Sequence, residues 1–535
     1  MAEKKEKYIV AADLGTARMS LIVVKVNGFD TQVVYYKEVA SDGIRYSGVS
    51  NMGKAHAPLD VLIKGAETEL NIKINHVIIG MPKFPIRQEA NSGKLQDRGE
   101  DTEITAEDIA DIKRFAQDSY VLADEGEAVY GAVAQSFSDS ENFQTSEDEI
   151  IGMASDVIEG HFNIFIGRKR ELKNADALLS KSNTSALKKY FTAHTTAKLV
   201  LTENEMDNGV ALVDIGGGVT SVTIYVNGIM RHYASIPFGG KNITADIKSE
   251  LQITERLAEN IKLAFGACMP DKLQNMSEKI LYIQDTLTNH EKQVPVKYLS
   301  DIITARVEEI MEAVLYIIKS SGFEDDIRCG IVLTGGVSKT TNLRALIKEM
   351  SGYHARIGHP MLQLSSDGIE GTDNVSAATI LGLVMEALDE NLPSCAIDLD
   401  EAAEKKGIIE EEKEFKVNEP EVKEPEIKEP EIKEPEVKEP EVTEEKKEPA
   451  KEVEVTPVPK EEEKEIKETE EKTEEKAEET ETVKVKEKKE PWKLFSLVWG
   501  KAKAVTSNVT SNVTGLIDNL TDKADDDSED FDYDE

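Results

Sequence analysis

One pattern, written twice at a spacing of about 200 residues, constrains this chain more than any other feature. Residues 8–12 (Tyr-Ile-Val-Ala-Ala) and 20–26 are apolar runs on either side of Asp13-Leu-Gly15-Thr16, and Asn27-Gly28 comes next. Residues 210–226 repeat it, with Asp214-Ile-Gly216-Gly217-Gly218-Val-Thr220 between two apolar runs and Asn227-Gly228 behind. Apolar runs closed by Asn-Gly predict antiparallel hairpins. Self-similarity at that distance predicts two related halves facing one another.

The remaining elements of the first 400 residues alternate. Residues 58–70 have helical apolar spacing, 75–80 form an apolar strand, and 105–115 open with Thr105-Ala-Glu-Asp108, an acid three places after an N-cap. Residues 302–320 are helical, 328–333 form a buried strand running into Thr334-Gly335-Gly336, and 340–350 are a helix. A mixed α/β core is expected.

Charge divides the chain. It carries 64 basic and 103 acidic residues, net −39, which argues against nucleic acid as a partner because phosphate neutralisation needs a basic surface. Residues 401–490 hold 35 Glu against 20 Lys, with five pentapeptides of the Glu-Pro-Glu-Val-Lys type at 419–443. Proline at every fifth position forbids a helix, and Phe415 alone cannot seed a core, so a disordered tether is expected, on the order of 50 Å in r.m.s. span. Beyond it, Trp492, Leu494, Phe495, Leu497, Val498 and Trp499 gather on one arc of a helical wheel with Lys493 and Lys503 opposite. That pattern suits an amphipathic helix lying in the interface of an anionic membrane, with docking onto protein as the alternative. The last residues, 523–535, are an acidic tail. The three cysteines lack metal-ligand spacing and fit a reducing cytoplasm; residues 1–7 contain no secretion h-region, and no run of eighteen apolar residues occurs.

The chemistry lies in the glycine turns. Each is a strand end, an Asp and a turn without bulky side chains, where backbone N–H groups can wrap phosphate oxygens and Thr16 and Thr220 can add hydroxyl donors. Asp13 and Asp214, one from each half, could hold a water-coordinated Mg²⁺. Either turn alone reads as an ordinary hairpin; the pair points to a nucleotide, with Gly335 and Gly336 as a third wall.

These three segments resemble the phosphate 1, phosphate 2 and adenosine motifs of the actin and Hsp70 ATPase superfamily. Within it, residues 210–266, including Pro237-Phe-Gly-Gly240-Lys-Asn, together with Gly330-Ile-Val-Leu-Thr-Gly-Gly336 and Ala355-Arg-Ile-Gly358, resemble the FtsA family of bacterial cell division proteins. The resemblance implies an actin-like two-lobed ATPase fold with an FtsA-type subdomain 1C, followed by the tether and the amphipathic helix. It places subdomain 1A at 1–82 and 162–192, 1C at 83–161, 2A at 193–243 and 302–392, 2B at 244–301, the linker at 393–490 and the membrane-targeting helix at 491–522. It implies ATP and Mg²⁺ as ligands, with Gly240, Glu259 and Lys262 joining the turn residues. It also implies self-association into filaments, other division proteins on 1C, and Arg306 gripping the acidic C-terminal peptide of the tubulin-like FtsZ; a solvated Arg306 paired with a nearby Glu is the plain alternative.

Two departures stand out. Val219 occupies the place of the family's Thr after the three glycines, and Thr192-Ala-His194-Thr-Thr196 stands where some relatives carry Glu-Pro, so no base for hydrolysis is evident and His194 reads as structural. The expected function is an ATP-binding adaptor that anchors FtsZ to the cytoplasmic face of the cell inner membrane, peripherally, at the division site. The alternatives are an Hsp70-like ATPase and a pilus-assembly protein of the PilM type, which would not need the Trp492–Trp499 anchor.

Overall fold

The computed structural model describes residues 6–28, 30–96, 102–139, 144–284, 291–361, 364–365 and 369–400. The tether, the amphipathic helix and the acidic tail expected beyond 400 lie outside the described residues.

Both copies of the repeated pattern form the expected hairpins. Lys7–Leu14 pairs antiparallel with Arg18–Asn27, and Val210–Ile215 with Thr220–Val226. Asp13 stands opposite Ser20 and Asp214 opposite Ser221, so the two carboxylates occupy the same register in their hairpins. Each hairpin extends into a five-stranded sheet of the same plan. In the first, Asp30–Ala40 adds antiparallel on one side, while His76–Gly80 and then Ser185–Tyr190 add parallel on the other. In the second, Ile229–Ile236 adds antiparallel, and Ile331–Thr334 and then Ala355–Ile357 add parallel. The first parallel strand of each half therefore runs beside the Asp-bearing strand, and the residues after it arrive at the same end as the turn.

Each sheet is covered by helices whose apolar stripes close a core. Helix Met52–Leu70 buries Leu59, Leu62, Ile63 and Ala66 on the first sheet; it starts six residues before the expected 58 because Asn51 caps Lys54 N and Pro58 is tolerated within the helix. Helix Val296–Ser320 supplies the second core with Leu299, Ile303, Val307, Met311 and Val314.

Three expected boundaries differ. Helix Ala378–Asp389, expected in the second half, packs on strands Lys7–Leu14 and His76–Gly80 of the first sheet; helix Thr192–Val200 packs on it and on Thr220–Val226 of the second sheet, and Ala197, Val200, Leu381 and Val384 are buried together in one core. The linker does not begin at 393: Ala396–Asp398 pairs with Ile72–Ile74, and Cys395 N donates to Tyr8 O at 2.7 Å. The expected return at 162 falls within Ile158–Arg168, a strand that pairs throughout with Ile86–Leu95 and Glu127–Ser138. Those strands and Gln144–Thr145 form a separate four-stranded sheet between the halves of the first lobe's sequence. Helix Ala106–Asp118, begun by the Thr105–Asp108 capping box, packs on it around Phe137, Phe162, Ile112 and Ile164. Among the described residues no helix is long and apolar enough to cross a membrane.

Candidate functional site

The two turns meet. A Cβ on Gly217 would come within 2.6 Å of Ala17 Cβ, and one on Gly218 within 2.8 Å of Thr16 Cγ2, so only glycine lets the second turn approach the first this closely. Gly15 is constrained by its own turn, where a Cβ would lie 2.4 Å from Arg18 O. Gly335 has φ +81° and would carry a Cβ 2.4 Å from Asp214 Oδ1, which brings the third glycine turn onto the second carboxylate. Gly336 is next in the chain, with Arg18 Nη2 within 3.6 Å of where its Cβ would be. Gly240 opens helix Gly240–Leu251; its N–H donates to Gly216 O at 2.9 Å and that of Lys241 to Gly217 O at 2.7 Å, stitching the helix start to the second turn.

Between the carboxylates lies a residue that the sequence alone did not single out. Lys83 Nζ donates to Asp214 Oδ2 at 2.5 Å and to Thr379 Oγ1 at 3.1 Å. Burial works against its charge, but the Asp214 and Asp13 carboxylates prevail and hold the ammonium's pKa above the ordinary lysine value. Burial raises the Asp13 pKa, Asp214 adds to the rise, and Lys83 opposes it. Lys83 sits just after the first parallel strand of the first half, as Gly335 and Gly336 sit after the first parallel strand of the second.

The other expected residues fall into three settings. Thr16 faces the junction of the turns, its Oγ1 accepting from Ser47 N at 3.1 Å. Thr220 does not offer a free donor: it is fully buried, and its hydroxyl donates to Phe238 O at 2.9 Å, holding the segment that leads to Gly240. Glu259 and Lys262, on helix Glu255–Phe265, close a knot in which Lys262 Nζ donates to Gly240 O, Thr244 Oγ1 and Glu259 Oε2 at 3.0, 2.8 and 2.7 Å. Burial pulls the Lys262 pKa down against the pull of Glu259, and Arg18 and Lys241 lower it further. Lys339 is likewise lowered, by burial first and then by Arg18. Arg18 and Lys241 thus act on Lys262, and Arg18 acts on Lys339, which gathers positive charge around the turns although Arg18 is itself paired with Glu38 at 2.8 Å. Arg18 and Lys339 were also not singled out by the sequence; their positions directly after the first and third glycine turns were the available signal.

Arg306 lies away from the turns, on helix Val296–Ser320. Its guanidinium binds Asp246 through two bonds, Nε–Oδ2 at 2.5 Å and Nη2–Oδ1 at 2.9 Å, and Glu309 at 2.5 Å. His194 Nδ1 lies 3.0 Å from Tyr225 Oη, and burial drives its pKa down to about 4. An imidazole held neutral against a tyrosine is a structural group.

Two carboxylates of matching register suit a divalent cation that keeps most of its waters and takes further oxygens from phosphate, which is how Mg²⁺ is usually held. Among the described residues no group of three or more His, Cys, Asp or Glu side chains gathers into a protein-only cage.

The likeness to known proteins centres on the same elements. The structure of the PilM-PilN type IV pilus biogenesis complex matches with a TM-score of 0.52 at 12% identity, over 71% of this chain and 98% of that one, a likeness of fold. The cell division protein FtsA of Neisseria meningitidis serogroup B is 29% identical over 397 residues, 73% of this chain and 93% of its own. That of Pseudomonas aeruginosa is 28% identical over 386 residues, 72% and 90% respectively. The family model described as cell division protein FtsA matches residues 211–382, which run from the Asp214 strand through the Gly335 turn to the helix that meets Lys83. With nine-tenths of those relatives' length matched and the repeated actin-like sheets in place, the chain is similar in sequence to the cell division protein FtsA.

Proposed function

We propose that this actin-like cell division protein binds ATP with Mg²⁺ between its two Asp-x-Gly turns and acts as an adaptor, not as a catalyst of turnover. The observation that carries this reading is the close approach of the two glycine turns, each with its Asp at the equivalent position of its hairpin, and of the Gly335 turn to Asp214. Backbone amides of residues 15–17 and 216–218 would hold phosphate oxygens, and Arg18, Lys262 and Lys339 would balance their charge. Mg²⁺, when bound, would neutralise phosphate charge beside the two carboxylates. The knot of Lys262, Glu259 and Thr244 would fix the helix that covers the sugar and base. Burial against Tyr225 lowers the His194 pKa to about 4 and leaves it a weak base, which supports ligand-driven conformational change over hydrolysis.

In this reading the bound state favours self-association and capture of the FtsZ C-terminal peptide on the cytoplasmic face of the cell inner membrane. Arg306 would exchange its bonds to Asp246 and Glu309 for the peptide's carboxylates. The segment Trp492–Trp499 would anchor the chain, each copy weakly and an assembly strongly. Co-flotation with anionic liposomes in ATP and Mg²⁺ tests the adaptor: the full chain floats and a truncation ending at Glu490 stays behind. If both stay behind, the adaptor reading fails; the affinity of each for a fluorescent ATP analogue reports on the cleft separately.

A further inference from the structure

Lys83 joins three parts of the molecule. Its side chain reaches Asp214 of the second turn and Thr379 of the helix Ala378–Asp389. Its carbonyl accepts from Tyr233 Oη at 2.9 Å, on the edge strand Ile229–Ile236. Its backbone lies on the short connection from His76–Gly80 to the separate sheet that begins at Ile86. The ion pair is largely out of solvent, with side-chain exposures of 17% for Lys83 and 11% for Asp214.

Two enclosed carboxylates repel one another unless a cation sits with them. Here the protein supplies that cation itself. A divalent ion taking Asp214 as a ligand, directly or through water, would sit beside the Lys83 ammonium on the same carboxylate, and the two like charges repel. Lysine suits a replaceable role, because a point charge on a flexible stem can leave without breaking a planar bidentate contact. Thr379 Oγ1 gives the ammonium a neutral partner beside the site.

We infer that Lys83 is a resident counter-cation of the cleft, which holds Asp13 and Asp214 in the metal-free protein and competes with a divalent metal for them. The inference rests on the proposed metal-nucleotide reading of this cleft. Metal entry displaces the ammonium from Asp214, so the occupancy of the cleft is felt at the start of the four-stranded sheet.

The test uses the full chain without nucleotide and reads free Mn²⁺ by electron paramagnetic resonance during titration. Lys83→Met is expected to bind Mn²⁺ at least tenfold more tightly than the parent, and Lys83→Met/Asp214→Asn to lose that gain. A folded Lys83→Met with unchanged Mn²⁺ affinity overturns the inference. Acetylation of lysines in the parent chain, mapped by mass spectrometry, needs no variant: Lys83 is expected to be protected in chelator and labelled in Mn²⁺ with ATP, and equal labelling in both also overturns it. Binding of a fluorescent ATP analogue separates the two ideas. If the analogue does not bind with or without metal, the nucleotide reading fails; if it binds but neither Mn²⁺ affinity nor labelling responds to Lys83 as stated, only the counter-cation fails.

Discussion

His194 shows how burial decides what a residue can do. Its pKa falls to about 4 from an ordinary 6.5, first because burial disfavours the charged ring and then because Lys198 and Lys113 add positive potential. The folded protein therefore binds fewer protons here than the unfolded chain at mildly acidic pH. The associated stability is fully present above about pH 6.5 and is lost as pH falls towards 4, at most about 3 kcal/mol. Replacing His194 by Gln, which can still meet Tyr225 Oη, is expected to flatten urea-denaturation stability between pH 6.5 and 4 relative to the parent. Gly335 gives the opposite case, a residue fixed by what it lacks. Its φ of +81° and the 2.4 Å approach of a Cβ to Asp214 Oδ1 make Gly335→Ala costly, about 1–3 kcal/mol from backbone strain alone. Thermal unfolding should show the loss, and the variant should bind an ATP analogue at least tenfold more weakly, since Asp214 must move.

At the scale of elements, the hairpins were legible because local chemistry specifies them: apolar runs, an Asp-x-Gly turn and Asn-Gly are all contiguous in sequence. The Thr105–Asp108 cap was legible for the same reason. Lys83 was not, because its partners lie 131 and 296 residues away, and only the duplicated sheet plan puts the residues after Gly80 opposite Gly335. Thr220 misled because a hydroxyl next to a glycine turn looks free until Phe238 O takes it. Helix Ala378–Asp389 was expected in the second half, yet it packs on the first sheet, because an apolar stripe says that a helix is covered but not by which sheet. The edge strand Ile229–Ile236 had no readable partner either; its exposed amides are met by side chains of the four-stranded sheet. Gln88 Oε1 accepts from Tyr233 N at 2.8 Å, Gln88 Nε2 donates to Arg231 O at 3.1 Å, and Gln135 Nε2 donates to Met230 O at 2.9 Å. Gln88→Ala leaves Tyr233 N without its acceptor, at about 1–3 kcal/mol, while Arg231 O keeps the donor Asn163 Nδ2 at 3.1 Å. Hydrogen exchange should quicken in residues 229–236 and leave the hairpin 7–27 unchanged.

Across the described residues, the second core closes around one sheet while the first also takes in Val210, Leu212, Tyr225 and Val332 from the second sheet, and the glycine turns are where a ligand can touch both halves. A ligand bound only by the folded state stabilises it by RT ln(1 + [L]/Kd), about 2.7 kcal/mol at a hundredfold excess over Kd. If ATP and Mg²⁺ bridge the turns, the gain belongs to both halves, and the described body should melt in one transition displaced upward by a few degrees. Asp13→Asn removes a carboxylate from one half only, yet the displacement should shrink for the entire transition. A ligand confined to one half would instead split the melting curve, raising one part and leaving the other in place. Arg306→Ala provides the control. It frees Asp246 and Glu309 and lowers the starting melting temperature, but its charge is spent on those two acids and not on the turns. The upward displacement by nucleotide should therefore be the same for Arg306→Ala as for the parent, while, on the proposed adaptor reading, binding of an acidic FtsZ peptide, measured by fluorescence anisotropy, falls at least tenfold. Equal loss of both responses in Arg306→Ala would mean that the peptide and nucleotide sites are one.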